Sequence, residues 1–456
     1  MKIDAYEIRG NKMSLKAFYL RNLFWFNDWR KGSPIGRQYR EIKFIQEHSA
    51  AEGEPLRKAA LEALLRYAQT NTDFYSNHTS LDLADYPIMN KLDLIENYDK
   101  IKVEESRIPD QEGPVYVQKT SGSTGTPFTI FHDTRKRQRR IAELKYFGKI
   151  VGFNSHEKLI HLRAWNRYQN KSTDQARKEN IIPFNISRMS DPDLKELFDL
   201  IYKEKAVCLR CYASPFKLIA DYARRHSDEC PPSKTLKISI AGGEMLPDDV
   251  RPMIKKYVGG DIISQYANEE CGILAQERVP TSDSDNVMYM NNASYIIEVL
   301  KFDRDEPAEY GELGRIVITD LHNLAFPVIR YDNGDAAILQ PPDQYSNGYP
   351  VIGKLYGRRL DIVYTTNGEP VHPIALGREF KHYSKIRQWQ FIQTDGFKYK
   401  IKVSLYTQDD RDEVMKIVEP LEKLLGKEAR FDFEFVDEIP VLASGKRKMV
   451  INEWKQ

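Results

Sequence analysis

Residues 119–128 read Lys-Thr-Ser-Gly-Ser-Thr-Gly-Thr-Pro-Phe, and this stretch is the most informative in the chain. Gly122 and Gly125 let the backbone bend tightly and present its N–H groups. Thr120, Ser121, Ser123, Thr124 and Thr126 add hydroxyl donors. A concave run of such donors is what a polyphosphate needs. The preceding Pro-Val-Tyr-Val-Gln alternates like a short strand feeding the loop. Taken alone, a Gly/Ser/Thr run is more often a plain solvated turn. No G-x-x-x-x-G-K-[ST] occurs, and Lys119 precedes the loop instead of closing it, which argues against a P-loop NTPase.

Further segments downstream support the phosphate reading by their order. Residues 241–246 read Ala-Gly-Gly-Glu-Met-Leu, 266–270 Tyr-Ala-Asn-Glu-Glu, and 330–335 Arg-Tyr-Asp-Asn-Gly-Asp. Residues 357–361 read Gly-Arg-Arg-Leu-Asp, and 439–446 Ile-Pro-Val-Leu-Ala-Ser-Gly-Lys. The series resembles the acyl-adenylate-forming superfamily, over roughly residues 115–450. Within it the chain looks most like the branch of phenylacetate–CoA ligase, coenzyme F390 synthetase and CapK-type capsule biosynthesis proteins. Phe128 stands where the superfamily loop often ends in lysine, a departure that fits this branch.

The resemblance implies a role for each segment. Thr120, Ser121, Gly122, Ser123, Thr124, Gly125 and Thr126 would hold the β- and γ-phosphates of ATP. Gly242 and Gly243 would let the backbone pass close to the adenine, with Glu244 bordering that pocket and Tyr266 stacking on the ring. Asp335 would accept from both ribose hydroxyls, the Asn333-Gly334 pair supplying a turn after a strand-like Phe326–Tyr331. Arg358 would bring a cation near ribose or phosphate. Glu270 would ligate Mg²⁺, a hard cation that suits carboxylate oxygen. Glu269 replaces the family's threonine and would either join the metal shell or face solvent. Asp361 resembles the hinge residue about which the small domain turns between half-reactions. Lys446 would bridge the carboxylate and the α-phosphate during adenylation. The acyl pocket is less marked: Tyr212, Ser214, Ala241 and Arg163 are candidate walls. Arg163 and Arg210 are cations near strand ends that could meet a second substrate carboxylate or a carboxylate of the protein.

Bulk properties bound the rest. A chain of 456 residues exceeds one ordinary domain. With 68 basic against 66 acidic residues, net charge is only +2, which gives no support for nucleic-acid binding. No run of about 20 apolar residues exists, so no membrane span is expected. The N-terminus is too charged for a signal peptide, and four cysteines suit a reducing compartment, so a cytoplasmic location is expected. Cys208 and Cys211 fall on a strand-like run, where positions three apart face opposite ways. Buried free thiols are expected there, and no zinc.

From 114 to 340 strand-like and helix-like runs alternate. Strands are expected at Lys158–Leu162, Ala206–Leu209, Leu236–Ile240, Ile262–Tyr266 and Arg315–Thr319. Helices are expected at Arg135–Ile150, Pro192–Lys203, Pro215–Arg225 and Pro247–Val258. The pattern predicts an α/β domain with a substantially parallel sheet, ligands sitting at strand carboxyl ends. After Asp361 the pattern becomes a small α+β unit. It has strands at Tyr399–Tyr406 and Phe431–Phe435 and a helix at Arg411–Leu425 that Pro420 kinks or shortens. The division expected is a large N-terminal α/β domain, 1–358, and a small mobile C-terminal α+β domain, 359–456. Residues 12–30 carry an aromatic face at helical spacing, expected to pack on the domain itself; a membrane-surface helix is the alternative. A second helix is expected at 55–69.

The function these features imply is ATP-dependent activation of a carboxylic acid to acyl-AMP and pyrophosphate. Acyl transfer would follow to CoA, or to an amine or hydroxyl of a sugar or cofactor as in CapK-type proteins. A catalytically silent nucleotide-binding protein is the alternative of a different class, and a homodimer is compatible with either.

Overall fold

The computed structural model describes residues 13–119, 128–163, 173–187, 189–279, 286–358, 362–371, 373–383, 385–407, 411–440 and 448–454. The loop 120–127, Asp361 and Lys446 therefore lie outside the described residues.

The helix Leu15–Arg30 starts at Ser14, whose Oγ accepts from the Ala17 amide at 3.2 Å. Its buried Asp28 accepts from the Ile35 and Gly36 amides at 3.0 and 2.8 Å, which fastens it to the next helix, Pro34–Glu47. The face expected to pack on the domain is instead the exposed one: Leu15, Phe18, Tyr19, Leu23, Phe26 and Trp29 all reach solvent, Leu15 at 88% and Trp29 at 67%. The packed face is the opposite one, where Phe24 and Trp25 meet Lys145, His156 and Tyr39. The helix expected at 55–69 runs from Ala50 to Asn71, because Ser49 and Glu52 form a capping box that starts it five residues before Pro55.

β1 (Tyr116–Lys119) and β2 (Thr129–His132) form a small antiparallel pair on either side of the Ser/Thr/Gly loop. The main sheet has eleven strands: β3 (Leu159–Arg163), β4 (Ile181–Asn185), β5 (Cys208–Tyr212), β6 (Ile238–Gly242), β7 (Asp261–Ala267), β8 (Ile273–Glu277), β9 (Met288–Met290), β10 (Tyr295–Leu300), β11 (Leu313–Asp320), β12 (Tyr331–Gln340) and β13 (Val351–Arg358). Their spatial order is β10-β11-β12-β13-β9-β8-β7-β6-β5-β3-β4.

Only one half of this sheet is parallel. From β4 to β7 every pairing is parallel, and helices such as Asp191–Glu204 and Ala213–Arg225 carry the chain between strands. From β7 onward every pairing is antiparallel. No described helix separates strands there, and short connections cannot return a chain to a parallel neighbour. The strand-like reading of Phe326–Tyr331 is also corrected. Residues 321–330 are buried irregular backbone, and β12 begins only at Tyr331. Asn333-Gly334 is not a turn either: it lies inside β12, where the register against β11 shifts and Gly334 takes φ +82°. A bulge, not a turn, aims Asp335. Pro247–Val258 is likewise shorter than expected, a helical turn Val250–Met253 that runs into a wider π turn, Ile254–Val258.

Aliphatic clusters fill both faces of the parallel half. Cys211 packs with Phe198, Phe216 and Ile219 on one side, and Cys208 with Ile240 and Ile263 on the other. The two cysteines thus face oppositely, and all four thiols are buried and free of disulfides.

The C-terminal part is a smaller α+β unit. β14 (Val363–Tyr364) and β15 (Pro370–Val371) form a short pair. β16 (Ile386–Gln393), β17 (Lys398–Leu405), β18 (Arg430–Phe435) and β19 (Val450–Asn452) form a separate sheet in the order β18-β17-β16-β19. The helix expected over 411–425 is two, Arg411–Met415 and Val418–Leu425. Pro420 has no N–H for the carbonyl of Lys416, so the break falls there. The architecture is the expected one: a large N-terminal α/β part and a small C-terminal α+β part. Among the described residues no helix is long and apolar enough to cross a membrane.

Candidate functional site

The strand ends gather the site. Tyr212, Gly242 and Ala267 close β5, β6 and β7. Gly243, at φ +72°, turns the chain away from β6, a conformation that costs glycine least. Beyond β7 come Asn268, Glu269 and Glu270.

The centre is a buried knot that joins β7 to β12. The Tyr266 hydroxyl donates to Asp335 Oδ2 at 2.6 Å, and Asn333 Nδ2 donates to the same oxygen at 2.9 Å. Asn333 Nδ2 also reaches the Tyr266 oxygen at 2.6 Å. Asn333 Oδ1 accepts from the Asp335 amide at 3.0 Å. Arg358, at the end of β13, donates to the Asn333 carbonyl at 2.6 Å and brings Nε to 3.6 Å from Asp335 Oδ1. Burial pushes the Tyr266 phenol well above its ordinary value, and the Asp335 carboxylate adds to it, so Tyr266 stays a proton donor. One Asp335 oxygen is thus committed to the protein, while the other meets Arg358 at the looser distance. Tyr266, Asp335 and Arg358, assigned separately from sequence, are brought together; Asn333 is the member that sequence gave only a turn's role.

Glu270 is buried beside this knot. Burial pushes its carboxyl above the ordinary value, while Arg358 and Lys91 pull it down. Burial in turn lowers Lys91, with Glu270 opposing. The Glu270 carbonyl is held by His132 Nε2 at 2.8 Å, at the end of β2. Burial drives His132 well below its ordinary value, and Arg140 and Lys136 press the same way. A neutral ring that donates from Nε2 fits, since Arg140 faces Nδ1 at 3.4 Å. Lys91, His132 and Arg140 carry no motif and were missed. Each reaches the site from a distant stretch, and no local pattern marks them.

Glu269 is partly exposed and paired within the protein. It accepts from Gln118 Nε2 at 2.6 Å and from Arg163 at 3.2 Å, with Arg140 at 3.8 Å. Arg163 is therefore neutralised within the protein. Glu244 accepts from the Ser214 amide at 2.8 Å, at the start of the helix Ala213–Arg225. A carboxylate there suits the orphan amides of a helix N-terminus. Ser214 thus turns its amide to Glu244, and Ala241 is buried within β6. Among the described residues no three His, Cys, Asp or Glu side chains converge as a metal cluster. Glu270 still suits Mg²⁺, which commonly takes one carboxylate with phosphate oxygens and water.

Lys446 and Asp361 are outside the described residues, but the ends of segment 441–447 are fixed. On β16, Gln388 Oε1 accepts from the Ile439 amide at 2.8 Å, and Gln390 Nε2 donates to the Lys448 carbonyl at 2.7 Å. Side chains two apart on a strand share a face, so one face of β16 holds both ends.

Residues 363–453 match the CapK C-terminal domain family. Over nearly the whole length the chain is similar to protein CapK of Staphylococcus aureus: 23% identity, 91% of this chain and 92% of that protein. These likenesses support the adenylate-forming superfamily, in its CapK-like and phenylacetate–CoA ligase-like branch. Phenylacetate-coenzyme A ligase of Pseudomonas putida is 24% identical over 88% of this chain and 87% of that enzyme. In fold, the chain is similar to 2-hydroxyisobutyryl-CoA ligase in complex with an acyl-AMP, in the postadenylation state. The TM-score is 0.69 at 16% identity, covering 90% of this chain and 91% of that one.

Proposed function

We propose that this adenylate-forming protein is an AMP-forming ligase that activates a carboxylic acid with ATP and passes the acyl group to CoA or another acceptor. The observation that carries the reading is the knot of Tyr266, Asn333, Asp335 and Arg358 beside Glu270, at strand ends, in a chain of this superfamily. Two anions must meet in the first half-reaction, so the site needs fixed donors and cations. Asp335 binds the ribose hydroxyls through the oxygen that Tyr266 and Asn333 leave open. Arg358 balances the charge of Asp335 and faces the α-phosphate. Tyr266 flanks the adenine, with Gly242 and Gly243 lining its path and Glu244 fixing the helix beside it. Thr120–Thr126 cradle the β- and γ-phosphates, and Glu270 holds Mg²⁺, which when bound offsets their charge. Lys446 reaches in from the small domain to bridge carboxylate and α-phosphate. The domains divide at 358/359, with Asp361 as hinge. Free buried thiols fit a cytoplasmic setting.

For the acceptor, CoA is the first choice, as the likeness to two CoA ligases suggests. A sugar or cofactor amine or hydroxyl is the second, favoured by the match of the small domain to the CapK C-terminal family. The test is mass spectrometry after incubation with ATP, Mg²⁺ and a carboxylic acid library, with CoA and amino sugars as acceptors. An acyl-AMP peak with pyrophosphate release is expected. Nucleotide binding with no adenylate from any acid would leave the silent binding protein.

A further inference from the structure

Arg210 is the cation this site does not explain. It sits on β5, two residues before the strand end, on the face it shares with Cys208 and Tyr212. In register it lies between His161 of β3 and Ile240 of β6. Its Nε is sealed from solvent and, among the described residues, has no hydrogen-bond partner. Burial lowers its guanidinium, and among the described residues the Cys208 thiol alone opposes this. That thiol is itself pushed up to about 12 by burial, so it carries no charge to offer. The side chain nevertheless keeps some accessible surface. The residue is thus enclosed on most sides yet still reachable by a small ligand.

The neighbouring cation makes the contrast. Arg163, on the next strand, spends its charge on Glu269. Above Arg210, the position of β6 opposite Tyr212 is Gly242, where an added Cβ would meet only the Gln265 carbonyl, at 3.4 Å. The position beside Tyr212 thus carries no side chain that would cover Arg210. An uncompensated guanidinium in such a place is costly unless an anion comes to it. The nucleotide's phosphates are poor candidates. The Asp335–Tyr266 knot begins two strands away, at β7, roughly 10 Å at ordinary strand spacing. Among the anions of the first half-reaction, that leaves the acid itself, at the end that does not react.

We propose that Arg210 is the specificity-determining residue of the acyl pocket and recognises a second carboxylate, so that the substrate class is dicarboxylic acids. The inference rests on the ligase reading above. The guanidinium fork matches a carboxylate in two parallel hydrogen bonds, and a monoacid would leave it unpaired.

The test uses the full chain with ATP and Mg²⁺. Pyrophosphate release is measured for four- to nine-carbon α,ω-dicarboxylic acids and an aromatic diacid, each against its monoamide. The best diacid should exceed its monoamide at least 100-fold in kcat/KM. Arg210→Met should remove that preference, with monoamide turnover and the KM for ATP changed less than threefold, and Arg210→Lys should keep part of it. Calorimetric titration of diacids without ATP reads the same residue independently of turnover. Binding by the natural protein that weakens at least 30-fold in Arg210→Met supports the assignment, even where no pyrophosphate forms and the ligase reading fails. A preference for monoamides, equal losses for both acids in Arg210→Met, or the absence of diacid binding would each overturn it.

Discussion

The two halves of the eleven-stranded sheet build their share of the site differently. The parallel half is packed with aliphatic side chains on both faces and delivers strand ends: Tyr212, Gly242 and Ala267. The antiparallel half delivers atoms. Arg330 on Glu298 at 3.0 Å, Arg315 beside Asp332, and the Asn333–Asp335 bulge fix polar groups inside that half. A strand end says where a ligand can lie; a satisfied polar knot says which atom it meets. The catalytic reading needs both, and the Tyr266–Asp335 hydrogen bond is where they join.

The largest expected effect belongs to neither half. Lys446→Ala should lower adenylate formation by at least ~10²–10³, the scale of deleting one electrostatic stabiliser. ATP affinity and transfer of a supplied acyl-AMP should be far less affected. Both half-reactions are to be measured; adenylation at the natural rate would reduce Lys446 to part of a basic tail. The next effect isolates the antiparallel half. Asp335→Ala should weaken nucleotide binding by ~1.5–3 kcal/mol, the range for hydrogen bonds to a charged group, and leave the ranking of acids untouched. If calorimetry finds unchanged affinity in a folded variant, the ribose role is lost.

Cutting only the link between the halves should cost less. Tyr266→Phe removes one donor while Asn333 still serves Asp335, so a loss of about 1.5 kcal/mol in nucleotide affinity is expected. A loss as large as that of Asp335→Ala would mean that the hydroxyl itself touches the nucleotide. The smallest effect appears only in acid. His132 is held neutral in the fold, so the unfolded chain takes up its proton first. Stability contributed by the ring is present above pH ~6.5 and falls as pH drops below that value, by ~1.4 kcal/mol per pH unit until the lowered folded value is reached. His132→Asn should flatten that slope in denaturant titrations at pH 5.5 and 7.5. Parallel slopes would show that other groups set the acid limit.

Much of this was legible in the sequence. Strand–helix alternation marked the parallel half because each strand there is followed by a helix with its own period. The antiparallel half was not legible as such, since orientation is decided by connections and not by the strands. Tyr266, Asp335 and Arg358 were found one by one, but the bonds that tie Tyr266 to Asn333 and Asp335 span 67 and 69 residues of sequence, beyond the reach of any local pattern. His132 on Glu270, 138 residues apart, is the same case. The helix expected at 55–69 starts earlier, at the Ser49–Glu52 box, which is also visible in the sequence. The aromatic face of the first helix was misjudged because periodicity reports that a face exists and not which face the domain uses.

Gln388 and Gln390 carry a last consequence. Both ends of the segment that bears Lys446 are pinned to one strand, so that strand acts as the segment's mount. Wherever the small sheet is carried, the anchor points go with it at a fixed spacing. The small unit is then a cartridge: exchanged whole for that of a related chain, it would bring its own lysine mounting along. Exchanged with a cut between Gln388 and Gln390, it would lose one anchor and keep the other.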